Sequence, residues 1–204
     1  MLYRHVSCLV DMNKKEEFVH ALHVPKPWIY QAKAQRLAYE TDADMDYVEC
    51  LLRAHDHNTA HRRIVGRLAP EWILAGEWHA LRAYLERLDP QQVAEWSEGG
   101  AVLLASITAM EQAQPLLQQL DTGLVSEQDA SQETHALVSM IHSIMQGLHV
   151  MSHHPLYVSC GVSFQAALRK LHHQMKRTRE LISPETGDAV CPLLIPIAHV
   201  SSSL

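Results

Sequence analysis

Helical periodicity in this chain is punctuated by prolines that fall between the periodic stretches, and that pattern restricts the fold more than any single motif. Pro25 and Pro27 stop one stretch and restart the next. Pro27 suits the first turn of a helix, where its missing N–H has no intrahelical partner. With 8 glycines and 9 prolines in 204 residues, turn chemistry is too sparse for a many-stranded β architecture. Long helices are expected instead.

A short segment, Asn13 to Leu22, precedes the prolines, and "PWIYQAKAQRLAYE" predicts a helix to about Glu40. Thr41 and Asp44 have the spacing of a capping box, opening a helix in which Met45, Val48 and Leu52 repeat at three and four. "HDHN" predicts a turn. A helix carrying Ala60, Ile64, Val65 and Leu68 follows, and Pro70 closes it while opening another. Trp78, Leu81, Leu85 and Leu88 form one helical face that Asp89-Pro90 ends. Trp96 with Gly99-Gly100 marks the next turn, before a helix through Val102, Leu103, Ile107 and Met110 that Pro115 kinks or restarts.

The stretch "LDTGLVSEQDASQ" reads as a linker into a long helix with Leu137, Ile141, Ile144, Leu148 and Met151 on one face. "HHPLYVSCG" reads as a loop, the one place with strand character. Ser163 reads as the N-cap of a last helix bearing Phe164, Leu168, Leu171 and Met175, and the tail from Ser183 reads as irregular. A degenerate internal echo lays "LLRAHDHNTAHRRI" over "WILAGEWHALRAYL" about 21 residues on. It matches Ala54 with Ala75, Ala60 with Leu81 and Ile64 with Leu85, a spacing that suits a helix plus its turn in a stack of antiparallel pairs.

Composition narrows the functional classes. Apolar residues make up 47% and charged residues 20%, as in an ordinary globular chain able to bury a core. A net charge of -6 argues against a general nucleic-acid binder, which shows a basic excess. Cys8, Cys50, Cys160 and Cys191 are far apart and form no C-x-x-C pair, which predicts free, mostly buried thiols in a reducing compartment. The N-terminus turns charged too early for a signal peptide, and the apolar runs "AVLLASITAM" and "VCPLLIPIAHV" are too short to span a membrane. A soluble, intracellular protein is expected.

The chemistry-bearing residues weigh toward structural roles. His57 and His61 lie four apart on one helix face, as in a zinc-binding helix, but Asn58 stands where H-E-x-x-H has its glutamate. With 15 histidines in the chain, solvated or capping imidazoles are the expected reading. The tandem pairs His153-His154 and His172-His173 point about 100° apart on a helix, which is poor ligand geometry. Ser159, Cys160 and Ser163 could supply a nucleophile, yet the second glycine of a G-x-S-x-G elbow is missing, and a small-residue turn is expected. Gly99-Gly100 is followed by no lysine, so it is no phosphate loop. The locally basic "RKLHHQMKRTRE", Arg169 to Glu180, reads as a solvated helix face. Of Trp28, Trp72, Trp78 and Trp96, at least two are expected in the core, and the others could anchor an interface. No catalytic, cofactor-binding or metal site is predicted.

The order of residues carries a resemblance. Trp28 with Ala32-Lys33-Ala34 is followed by Leu51-Leu52, Ala54, Ala60-His61 and Leu68-Ala69-Pro70 with Ile73. Then come Trp78, Leu81, Leu85, Leu88-x-Pro90, Trp96 and Gly100 with Val102 and Leu104. This run, roughly residues 25–110, resembles the C-terminal part of the ninety-six-kilodalton scaffold nucleoporin family of the nuclear pore's Y-shaped coat complex, the portion released from a larger self-cleaving precursor. The family continues from the glycine with a Val-Tyr-Leu-Asp-Tyr-like run, of which "AVLLAS" keeps only the aliphatic pattern, and no motif match extends beyond Met110.

The resemblance implies an all-α, irregular, coatomer-related solenoid of antiparallel helix pairs without significant sheet. The chain would be the end of the trunk and the tail, which in that family helps form the hub of the Y with the C-terminal regions of two other helical scaffold nucleoporins. The family's self-cleavage chemistry lies upstream, so no catalytic residue carries over. The expected organisation is one helical domain over 1–182, with a possible subdivision near 121–130 and an irregular tail over 183–204. The expected function is scaffolding at the nuclear pore in the nuclear envelope, without enzymatic activity, cofactor, small-molecule substrate, direct nucleic-acid contact or membrane insertion. The start at Met1 beside a helix points to a fragment of a longer protein. Two alternatives remain: another helical scaffold or adaptor of the vesicle-coat kind, and a helical metal-dependent enzyme built on the histidines.

Overall fold

The computed structural model describes residues 23–40, 43–122 and 127–183. Among the described residues every regular element is helical and no strand occurs, so the fold is all-α, as the periodicity predicts. The order is α1 (Lys26–Leu37), α2 (Asp44–Arg53), α3 (His57–Arg63), a π-helical turn (Ile64–Leu68), α4 (Ala69–Ala75) and α5 (Trp78–Leu85). A short 3-10 turn (Pro90–Gln92) leads to α6 (Gly100–Thr122), α7 (Glu127–His153), α8 (Pro155–Val158) and α9 (Gly161–Ile182).

Successive helices pack on one another from α1 on α2 to α6 on α7, and α9 returns to lie against α4, α6 and α7. The faces read from periodicity are the buried ones. Ile64, Leu81, Leu85, Leu103, Ile107, Ile141, Leu148, Met151, Phe164 and Leu171 are all inaccessible to solvent, and each contributes about 1.5–3 kcal/mol relative to an exposed side chain. Pro25 stands at the start of α1 and Pro27 in its first turn. The Asp56 carboxylate accepts from the Thr59 N–H at 3.1 Å and so caps α3.

The internal echo has a backbone counterpart. α2 is capped at its C-terminus by Ala54, the next residue His55 has φ 60°, and Asp56 opens α3. α4 ends at Ala75, the next residue Gly76 has φ 84°, and Glu77 opens α5. The Asp56 N–H reaches back to the Leu51 carbonyl at 3.0 Å, and the Glu77 N–H to the Trp72 carbonyl at 2.8 Å. Both are the six-residue closure of a left-handed helix C-cap, set 21 residues apart like the sequence echo.

Several local expectations are corrected. α1 stops at Leu37 rather than Glu40. α2 begins at Asp44 behind Ala43, which makes no side-chain cap. The Asp44 carboxylate accepts from Arg63 Nε at 2.6 Å, and its capping-box partner Thr41 lies outside the described residues. Met45 is 50% exposed, because Val48 and Leu51 take the inward positions of α2. Pro115 lies inside α6, which runs through it as one helix. The expected linker shrinks to the four residues 123–126 that the structure does not describe, since α6 reaches Thr122 and α7 starts at Glu127.

"HHPLYVSCG" contains the helical turn α8 instead of strand, with Pro155 in its first turn and the Tyr157 N–H on the His154 carbonyl. α9 opens behind Cys160, so Ser163 is an exposed residue of its first turn and no cap. The segment Asn13 to Leu22, Cys8, Cys191 and the tail from residue 184 lie outside the described residues.

The matched C-caps generate a reciprocal prediction. His55 carries a left-handed backbone at a cost of about 1–2 kcal/mol that Gly76 avoids. Glycine's extra unfolded-state entropy offsets part of that gain, so His55→Gly is expected to stabilise the protein by up to about 1 kcal/mol, and Gly76→Ala to destabilise it by about 1 kcal/mol or more. Urea denaturation midpoints check both. A lower midpoint for His55→Gly would contradict the shared turn geometry.

Candidate interaction surface

One face of α3 grips the segment between α5 and α6. His57, Asn58, His61 and Arg62 are spaced so that a helix presents them together. His57 Nδ1 accepts from the Asp89 N–H at 3.2 Å, Asn58 Oδ1 from the Ala94 N–H at 2.9 Å, and His61 Nε2 from the Gly100 N–H at 2.9 Å. Arg62 Nη2 pairs with Glu95 Oε1 at 2.9 Å. The two imidazoles read from sequence as zinc candidates are therefore backbone-amide acceptors. Among the described residues no three His, Cys, Asp or Glu side chains gather as a metal site would need.

His61 is fully buried, with its ring 5.8 Å from that of Trp96. Burial pushes its pKa down to about 4, against a smaller upward pull from Glu95. The imidazole is thus neutral, with its bare Nε2 toward Gly100 and its proton on Nδ1, which finds no partner among the described residues. The Tyr157 hydroxyl lies over Gly99 and also lacks a protein partner, and burial raises its pKa. A Cβ on Gly99 would overlap that hydroxyl, and one on Gly100 would overlap the Trp96 ring. The Gly99-Gly100 pair is a packing requirement of this node.

The other candidates do not converge. His153 Nδ1 lies 2.9 Å from the His149 carbonyl, and the His154 ring packs 5.4 Å from Tyr157. His172 is held below its ordinary pKa, first by burial and then by Lys176 and Arg179, whereas His173 is exposed. Ser159 Oγ and Cys160 Sγ both donate to the Leu156 carbonyl. Burial raises the Cys160 pKa, so its thiol stays protonated, and a protonated thiol is a poor nucleophile. Along α9, Lys170 donates to the Leu74 carbonyl at 2.9 Å, while Arg169, His173, Lys176 and Arg177 face solvent. Trp72 is buried with its ring 5.3 Å from Tyr84, Trp78 and Trp96 pack half-buried against the core, and Trp28 is 43% exposed.

A groove of about 460 Å³ opens where α2, α3 and the π turn meet the α8–α9 corner. Tyr47, Thr59, Arg62, Arg63, Gly66, Arg67, Ser159 and Cys160 line it. Arg63 is held by Asp44 and lies with its Cζ 5.2 Å from the Tyr47 ring centre. Arg62 is held by Glu95, and Arg67 is exposed with no ion-pair partner among the described residues. Sequence reasoning passed over this cluster for the longer basic run on α9. The signal was the spacing of Arg63 and Arg67, four apart as on one helix face, with Arg62 beside them.

No protein-family model matches the chain. It is similar to the nuclear pore complex protein Nup98-Nup96 of Dictyostelium discoideum, 29% identical over 102 residues. That alignment takes in 48% of this chain and 5% of the relative, so the chain spans a small part of that protein's length. The similarity supports a relationship to nucleoporins.

The neutral imidazole at the clamp has a pH consequence. The folded pKa of His61 is about 4, below its ordinary value of 6.5, so the unfolded chain takes up this proton first as pH falls. The stability it contributes is complete above pH 6.5 and declines toward pH 4, by up to about 3 kcal/mol. Between pH 7 and pH 4.5 the wild type is expected to lose about 2–3 kcal/mol relative to His61→Gln, a difference in which the other histidines cancel. Urea melts of both proteins at several pH values read this directly. A constant difference would contradict the buried neutral ring.

Proposed function

We propose that this chain is a structural piece of the nuclear pore's Y-shaped coat, acting as the trunk-end and tail region of a ninety-six-kilodalton-type scaffold nucleoporin. The observation that carries the reading is the similarity to Nup98-Nup96 over 48% of the chain. The ordered run from Trp28 to Leu104 and the all-α fold support it. The recurring helix, left-handed turn and helix of α2–α3 and α4–α5 supports an irregular solenoid within a single helical unit over 1–182.

The mechanism is association. Helix faces not used within the chain bury themselves against other helical scaffold nucleoporins at the hub of the Y, over about 1,600 Å² for an interface of standard size. The protein then resides in the nuclear pore complex of the nuclear envelope and performs no catalysis.

Tagging the full-length parent protein at its own locus tests this. Coat nucleoporins are expected to co-purify near stoichiometry, with the tag at the nuclear rim. A diffuse tag and a pull-down without coat nucleoporins would overturn the assignment.

A further inference from the structure

The packed node at Gly99 holds three buried polar atoms with no hydrogen-bond partner among the described residues: His61 Nδ1, the Tyr157 hydroxyl and Glu95 Oε2. They come from α3, from α8 and from the segment between α5 and α6. His61 and Tyr157 are 0% and 1% exposed, so bulk water does not serve them. Folded chains seldom leave such groups unpaired, because burial strips their hydration and only a new bond offsets the loss.

Packing and charge put the three in one place. The Tyr157 hydroxyl and Cε1 of the His61 ring both lie within 3.0 Å of the point that a Cβ on Gly99 would occupy. Two atoms so placed are at most about 6 Å apart, the span of two hydrogen bonds in series. Cε1 is bonded to Nδ1, so the ring N–H borders the same spot. Burial acts first on the pKa of His61 and of Tyr157, and the Glu95 carboxylate is next, with an upward pull on both. Arg62 holds Glu95 Oε1 at 2.9 Å, which leaves the buried Oε2 to these two groups.

Their donor and acceptor roles fit together. The Gly100 N–H occupies His61 Nε2, so Nδ1 carries the proton and donates. Burial keeps the Tyr157 hydroxyl protonated, and it donates too. Glu95 Oε2 accepts. Two donors disfavour a cation and a carboxylate disfavours an anion, so the fitting ligand is neutral, accepts twice and donates once. The Tyr157 hydroxyl sits too close over Gly99 to admit even a Cβ, which limits that ligand to the smallest size. Water satisfies both limits, and about three bonds is the usual number for a buried water.

We propose that one buried water sits among His61 Nδ1, the Tyr157 hydroxyl and Glu95 Oε2, accepting from the first two and donating to the third. It ties α3, the α5–α6 segment and α8 at a point beside the Gly100 amide. α8 leads directly into α9, the helix that closes against α4, α6 and α7, so the water helps to set where that helix begins. The site is independent of the pore assignment.

A high-resolution crystal structure of the whole chain near neutral pH is expected to show one ordered water within about 3.2 Å of all three atoms. Direct bonding of Glu95 to His61 or Tyr157, an ion, or no density among the three overturns the proposal. Thermal melting of Tyr157→Phe, which removes only the hydroxyl, reads the same site in solution. Loss of a satisfied hydrogen bond lowers the melting temperature by about 2–4 °C, whereas loss of an unpaired buried hydroxyl leaves it unchanged or raises it. The drop is expected, and an unchanged or higher melting temperature overturns the water's bond to Tyr157.

Discussion

Three backbone amides between α5 and α6, those of Asp89, Ala94 and Gly100, donate to side chains of α3, and the placing of the second half of the molecule follows from them. This segment is irregular over most of its length, so its amides have no helical ladder to enter. The Gly100 bond is buried, and a buried donor left without an acceptor costs about 1–3 kcal/mol. His57, Asn58 and His61 supply acceptors from one face of one short helix, which sets the height and direction at which α6 begins at Gly100. α6 then packs on α5, α7 and α9, and α9 closes back on α4. Trp96 beneath Gly100 and Tyr157 over Gly99 complete the node, so α3, the loop, α6 and α8 meet at a point where neither glycine can carry a side chain.

That node explains the protonation state as well as the packing. A charged imidazole would have no bare nitrogen for the Gly100 amide and would place a cation in the core. The neutral ring accepts at Nε2 and leaves one buried N–H near Glu95, whose own carboxyl Arg62 holds below the ordinary carboxylate range. Two histidines four residues apart thus have a role without a metal, because each accepts a hydrogen bond from a backbone N–H. The spacing that resembles a zinc helix is the spacing of a clamp.

The helices were legible because burial in a helical stack imposes a period of about 3.6 residues that aliphatic side chains must follow. The faces through Leu81 and Leu85, Ile141 and Leu148, and Phe164 and Leu171 could be read from the chain alone. What could not be read depends on contacts far apart in sequence. Asp44 looked like half of a capping box until Arg63, 19 residues on, claimed its carboxylate. Pro115 has the sequence character of a kink or a restart, and α6 runs through it without a restart. The groove itself joins α2, α3 and the π turn to Ser159 and Cys160, about a hundred residues on, and no local pattern announces such a meeting. The roles of His57 and His61 were equally out of reach, since their partners lie 32 and 39 residues away.

The two echoed units show how such a fold holds its geometry while its residues diverge. His61 and Arg82 occupy equivalent positions 21 residues apart, and each reaches α6. His61 takes the Gly100 amide at its start, and Arg82 pairs with Glu111 about halfway along it. Ala60 corresponds to Leu81, Ile64 to Leu85 and His55 to Gly76, so small and large, β-branched and γ-branched, and strained and unstrained residues exchange freely. What persists is a buried face, a left-handed turn and a side chain able to hold the next helix, by hydrogen bond in one unit and by ion pair in the other. A stack built this way constrains pattern and reach more than identity. A similarity of 29% over 48% of the chain is the size of resemblance that such a constraint would leave.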